Sequence, residues 1–141
     1  MTTDELIDNL NAHHPPALGK LNGSVHRYDD PTQTIELRYQ IDESFCHSGD
    51  IIQGGFVAGM LDAAMAHVVF VALGEVVIVA TLEIKVSYLD IARPGELHAT
   101  GKIAKLGKSI AFLAAELHNE DGVLLAIASS TARIIRKLPG S

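Results

Sequence analysis

Gly54-Gly-Phe-Val-Ala-Gly-Met-Leu-Asp62-Ala-Ala-Met-Ala-His67-Val-Val-Phe-Val-Ala-Leu73 is a run of small and apolar residues interrupted by one acid and one histidine. It is too long for one strand and too rich in Ala and Met, so it predicts a helix over about residues 54–73. A helix that is apolar nearly all round must be covered by protein on most of its sides. Its length invites a transmembrane reading. Against that, Gln53, Asp62 and His67 are costly in lipid, no Lys or Arg closely flanks the run, and the segments that follow alternate like soluble strands. No membrane is expected.

Outward from this helix the periodicity changes. Residues 3–11 place Leu6, Ile7 and Leu10 at helical spacing after a Thr and early acids, which predicts a short N-terminal helix. From Thr32 to Ile41 the period is two, with Ile35, Leu37, Tyr39 and Ile41 on one face. Residues 18–28 are expected to pair with this strand across the DDPT turn, and residues 42–53 read as a loop. Beyond the helix, strand-like segments cover 76–89, 95–104 continuing past Gly107 into 109–118, and 123–136, separated by ARPG, KLGK and NEDG turns. Hairpin-length connections imply an antiparallel sheet. One buried helix and roughly five such strands are satisfied by a curved sheet wrapped around the helix, an α+β domain. The helix is too apolar for one sheet face to cover, so a partner subunit is expected, most simply in a two-fold dimer.

At 141 residues the chain has the size of one domain, and residues 1–141 are read as such. The single Cys46 permits no intrachain disulfide, and the Met1 end lacks the pattern of a secretory signal, so the expected compartment is the cytoplasm. A net charge of -6 argues against a nucleic-acid surface, which needs clustered Lys and Arg. Charge is unevenly spread: 12 acids and 3 bases precede Lys85, while 5 acids and 8 bases occupy the remainder. The second half can hold a small anionic ligand, or simply present a solvated strand face.

Asp62 is the only charge in the 24 residues from Ile51 to Gly74. Burying a carboxylate without partners costs several kcal/mol, so something must justify it. The residues leave two readings open: a structural acid bonded to a neighbouring element, or a general base or nucleophile. At the helix start, Gln53-Gly54-Gly55 forms either a tight turn or a ligand site, where glycines admit a close approach and helix N–H groups without intrahelical partners donate to a developing oxyanion. Gly55 and Asp62 are seven residues apart, about 10 Å along the axis, while a reacting carbon must lie about 3 Å from both groups. If both act on one substrate, they come from different chains. His47 in the loop is a surface residue or one that orients a substrate or protonates a leaving group. His67 lies about 140° around the helix from Asp62 and is read as packing. His13 and His14 have no second cluster at ligand spacing, so no metal site is expected. Adjacent Cys46 and His47 make a poor nucleophile–base pair, because neighbours in an extended loop rarely point together.

The segment His47-Ser-Gly-Asp-Ile-Ile-Gln53-Gly-Gly55, followed by Asp62, resembles the motif of the PaaI-type hotdog thioesterases, in which an Asn is followed six residues later by His-Gly-Gly and nine further on by an Asp. The resemblance continues through TLEIKVSY (81–88), ARPGE (92–96), KLGKSIAF (105–112) and the closing strand. It implies a hotdog fold with a sheet of five to six strands around one long central helix. It also implies hydrolysis of an acyl-CoA to a free acid and CoA, without a cofactor. On this reading Asp62 activates water or attacks the thioester, the Gly55 N–H polarises its carbonyl, Thr81 helps hold the attacking water, and Gly107, Lys108 and Ser109 lie beside the CoA phosphates. Gly54, Phe56, Met60 and Met65 are the candidates for the substrate pocket. Two positions depart from the commonest motif: Gln53 stands for the His and His47 for the Asn, each still able to hydrogen-bond. The expected assembly is a homodimer, which can pair again into a dimer of dimers. The rival readings are a hotdog enoyl-CoA hydratase, which would need Asp62 and a histidine together, and a non-catalytic acyl-CoA binder.

Overall fold

The structure, a computed structural model, describes residues 1–136. Lys137, counted above in the basic half, lies outside them. The chain opens with helix α1 (Thr3–Ala12), closed at its N-terminus by a Thr2–Glu5 capping box, and a short helix α2 (Pro16–Lys20). Strands β1 (Gly23–Asp29) and β2 (Thr34–Ile41) form the first hairpin. A 3-10 turn (Glu43–Phe45) and a miniature hairpin of β3 (Cys46–Ser48) and β4 (Ile51–Ile52) lead into helix α3 (Gly54–Leu73). Strands β5 (Ile78–Tyr88), β6 (Gly95–Leu106), β7 (Ile110–Asn119) and β8 (Leu124–Ile135) complete the chain.

The expected architecture is present, with six strands in the main sheet in the order β1-β2-β6-β7-β8-β5, every neighbour antiparallel. Sequence periodicity missed α2 and the miniature hairpin, because elements of two to five residues carry too few positions to show a period. The α3 crossover carries the chain from β2 near one edge to β5 at the other, so the strand that follows the helix becomes an edge strand.

The alternation read from β2 is the one the fold uses: Ile35, Leu37, Tyr39 and Ile41 are all buried against α3. On β8 the face toward the helix is Ala126, Ala128, Ser130, Ala132 and Ile134, mostly small residues that let a thick apolar helix lie close to the sheet. The buried Tyr39 hydroxyl donates to the Met60 carbonyl at 2.8 Å, tying β2 to the helix. Ten helix residues, from Val57 to Val71, are buried, but a stripe at helical spacing is not: Gly55 is exposed and Gly59, Asp62 and Ala66 are half-buried. The helix ends at Gly74, whose φ of 73° is a left-handed cap that only glycine adopts without strain.

Helix and sheet approach closely at Gly101 on β6. A Cβ there would lie 2.5 Å from the Ala64 carbonyl oxygen and 2.8 Å from its carbon, both backbone atoms of α3. Relief would require moving the whole helix, so Gly101→Ala is expected to cost about 2–3 kcal/mol as overpacking. For a domain of this size that corresponds to a fall of roughly 6–12 °C in melting temperature. A melting temperature within 2 °C or so of wild type in a thermal melt would refute the close approach.

Candidate active site

At the start of α3 the first helical bonds run from Phe56 N at 3.0 Å and Val57 N at 3.3 Å to the Gln53 carbonyl. The Gly54 and Gly55 N–H groups therefore have no intrahelical acceptor, and the Gln53 side chain makes no capping bond to them. Gly55 is exposed, and a Cβ built there meets nothing within 4 Å, so the residue borders open space. That space is a groove of about 370 Å³ lined by His47, Ile52, Gly54, Gly55, Tyr88 and Leu125 among others. The loop carrying His47 is fastened beside it by the Ile52 N–H on the Ala92 carbonyl (2.9 Å), the Gln53 N–H on Phe45 (3.0 Å) and the Arg93–Asp50 ion pair (2.8 Å). His47 is exposed, with Nδ1 2.8 Å from the Ser48 hydroxyl.

Two turns further along the helix, Asp62 is half-buried and has a partner. The Thr81 hydroxyl donates to Oδ1 at 2.8 Å, and Oδ2 is left for another donor. The sequence reading expected Thr81 to hold water; in the free chain its hydroxyl is on the carboxylate. Thr81 faces the helix because it pairs with Ala132, on the buried face of β8. Below lies Tyr39, whose phenol is pushed well above its ordinary pKa by burial, with the Asp62 carboxylate adding to the shift. His67 is buried, its Nδ1 donates to the Ala63 carbonyl at 2.8 Å, and burial pushes its pKa down. It packs edge-on against Phe70 (5.0 Å). His67 is thus a core residue, in line with its position about 140° around the helix from Asp62.

The remaining candidates separate. Phe56 is 38% exposed and stacks edge-on against Phe45 at 4.9 Å. Met60 and Met65 are not among the residues lining the groove at the helix start: both are buried in the core, and the Met65 sulfur accepts a hydrogen bond from Ser130 at 3.3 Å. Both lie off the open stripe, on different sides of the helix, since five residues turn it by about 140°. Gly107, Lys108 and Ser109 form the exposed β6–β7 turn, where the Arg136 guanidinium donates to the Lys108 carbonyl (2.9 Å). Partial desolvation and the acids Asp50, Glu43 and Asp42 hold the Cys46 thiol above its ordinary pKa, the wrong direction for a nucleophile. Among the described residues no three His, Cys, Asp or Glu side chains gather as a metal site.

In one chain the parts therefore lie at two ends of β5. Asp62 and Thr81 sit toward the end carrying the basic turn, while His47, Gly54, Gly55 and Tyr88 sit toward the other, where Tyr88 pairs with Ala126. Sequence reasoning missed Tyr88, whose hydroxyl donates to the Gly54 carbonyl at 2.7 Å. No local pattern marks it, because the contact spans 34 residues.

A long helix laid across a six-stranded antiparallel sheet, with an acid on the helix and free N–H groups at its start, defines a hotdog enzyme. The chain belongs to the thioesterase superfamily, whose family model matches residues 49–126, a span that holds Gly55, Asp62, Thr81 and Tyr88. It is a thioester hydrolase. The medium/long-chain acyl-CoA thioesterase YigI of Salmonella typhimurium is 24% identical over 143 residues, 90% of each chain. A phenylacetic acid degradation-related protein of Ralstonia eutropha JMP134 superposes with a TM-score of 0.80 at 26% identity, covering 93% of this chain and 98% of that one. The PaaI protein of the Escherichia coli phenylacetic acid degradation operon superposes with a TM-score of 0.81 at 13% identity, over 94% of each chain.

Proposed function

We propose that residues 1–141 act as one hotdog domain that hydrolyses acyl-CoA at a site shared by two copies of the chain. The observation that carries this is the separation of Gly55 from Asp62, about 10 Å along one helix, which no single thioester carbon can bridge. The sheet supplies the way to join them. Its β1 edge is guarded, because Asn11 of α1 both accepts from the Val25 N–H (2.8 Å) and donates to the Val25 carbonyl (2.9 Å) at a bulge. The β5 edge is 11 residues long, pairs as a strand only with β8 among the described residues, and carries exposed Leu82, Ile84 and Tyr88. An unguarded apolar edge of this length calls for a partner strand. Antiparallel two-fold pairing along β5 brings the Thr81 end of one copy against the Tyr88 end of the other, and so Asp62 against Gly55 of the partner subunit.

At that junction the thioester oxygen rests on the Gly55 N–H, and the acyl chain follows the apolar wall of Ile52, Val57, Ile91 and Leu125. Asp62 of the other copy, one oxygen held by Thr81, takes a proton from water as that water attacks the carbonyl carbon. The C–S bond then breaks as Asp62 passes that proton to the sulfur, so CoA leaves as the thiol beside the free acid and the carboxylate is restored. His47 and Gln53 lie near enough to the helix start to bond the substrate, and the basic turn at Gly107–Ser109 meets the CoA phosphates. The apolar groove and the likeness to a medium/long-chain acyl-CoA thioesterase favour aliphatic acyl groups over short ones.

The test is thiol release from a panel of aryl- and alkyl-CoAs, first by wild type and then by mixed dimers. Gly55→Pro and Asp62→Asn are each expected to lose most of their activity alone. If each site takes one residue from each chain, random co-refolding restores roughly a quarter of the wild-type sites, since half the dimers are mixed and each has one intact site. Recovery of no activity, with mixed dimers demonstrated, would place both residues in one chain's site and reject the shared arrangement.

A further inference from the structure

Among the described residues the Tyr88 side chain makes one hydrogen bond, and it falls on the peptide that the proposed reaction depends on. Its hydroxyl donates to the Gly54 carbonyl at 2.7 Å. That C=O and the Gly55 N–H belong to the same planar peptide unit, so holding one end orients the other. Drawing electron density toward the carbonyl oxygen also strengthens the N–H as a donor, the cooperative effect seen along hydrogen-bonded amides.

This peptide needs such a hold. It joins two glycines in the first turn of a helix whose N-cap supplies no side-chain bond, where the backbone has the least local restraint. The two glycines face different demands. A Cβ at Gly54 would lie 3.1 Å from the Tyr88 oxygen and 3.2 Å from the ring carbon that bears it, so glycine here admits the tyrosine. A Cβ at Gly55 would meet nothing within 4 Å, so glycine there admits the ligand. Tyr88 reaches this point because it pairs with Ala126 on the face of the sheet toward the helix, at the last position of β5, and its ring lines the same groove as Gly55.

We infer that Tyr88 is a positioning residue for the oxyanion donor: its hydroxyl aims and polarises the Gly54–Gly55 peptide so that the Gly55 N–H meets the thioester oxygen. The inference rests on the reading of Gly55 given above. A residue that only fastened the helix to the sheet would affect stability and leave the bound carbonyl untouched.

Tyr88→Phe removes the hydroxyl and keeps the ring. The expected result is a fall in kcat of about 10-fold with KM changed by less than about 2-fold, an interaction felt mainly in the transition state. Gly54→Ala, which crowds the hydroxyl without deleting it, should move kcat in the same direction. The deciding readout is vibrational: the carbonyl stretch of a 13C-labelled acyl-CoA bound to Asp62→Asn, with and without Tyr88→Phe. A stretch lowered in Asp62→Asn and partly restored in the double variant supports the inference. An equally lowered stretch in both overturns the role of Tyr88 and leaves the Gly55 donor standing. A stretch unchanged from the free thioester in Asp62→Asn itself removes the Gly55 donor, and the role of Tyr88 with it.

Discussion

Asp62→Asn is expected to lower kcat by about 10²–10⁴-fold, the range for loss of a positioned general base. The substitution is nearly isosteric. Its amide oxygen can still accept from the Thr81 hydroxyl, which donates to Oδ1 at 2.8 Å, so the local geometry has little reason to change. What disappears is the ability to take a proton from water or to attack carbon. Stability should move the other way or stay level. The acid is half-buried on an otherwise apolar helix, above the buried Tyr39, and one hydroxyl is its only protein donor among the described bonds. An active-site acid of this kind is commonly held at a cost to the fold, so its removal leaves the melting temperature unchanged or raises it. Thiol release and a thermal melt on the same preparation decide the matter. Activity retained with a lowered melting temperature would make Asp62 a structural acid and favour a non-catalytic binder.

Gly55→Pro tests the opposite half of the site. Proline deletes the backbone N–H and little else in the first turn of a helix, where that N–H has no intrahelical acceptor to lose. Gly54, lacking a Cβ, reduces the usual clash with a following proline ring. The expected loss is about 10²–10³-fold in kcat, the effect of removing one oxyanion donor. Gly55→Ala is the control: it keeps the donor, and its Cβ meets no atom of its own chain within 4 Å. Alanine should therefore cost clearly less than proline in a steady-state thiol-release assay. Equal losses for the two would mean that crowding at this point, rather than the missing N–H, limits the reaction.

Much of the fold was legible because long elements repeat their signal. The 20 residues of α3 and the period-two runs of β2 and β6–β8 each carry enough positions to set both type and buried face. The site was legible only in part. Asp62 stands out as a lone charge and Gly54-Gly55 as a break before a helix, whereas Phe56, Met60 and Met65 look alike in an apolar run. Only packing distinguishes them: Phe56 stays at the surface against Phe45, and the two methionines turn under the sheet.

The amino-acid sequence by itself determined the central helix, the alternation of the strands and the isolation of Asp62, since each follows from the spacing of apolar residues along the chain. The tertiary structure alone decided which strand becomes the unguarded edge, that Thr81 meets Asp62, and that Tyr88 meets the Gly54 carbonyl. Those contacts join residues 19 and 34 positions apart. Their register depends on how β5 pairs with β8 and how closely α3 lies on the sheet, and neither is written in any local pattern.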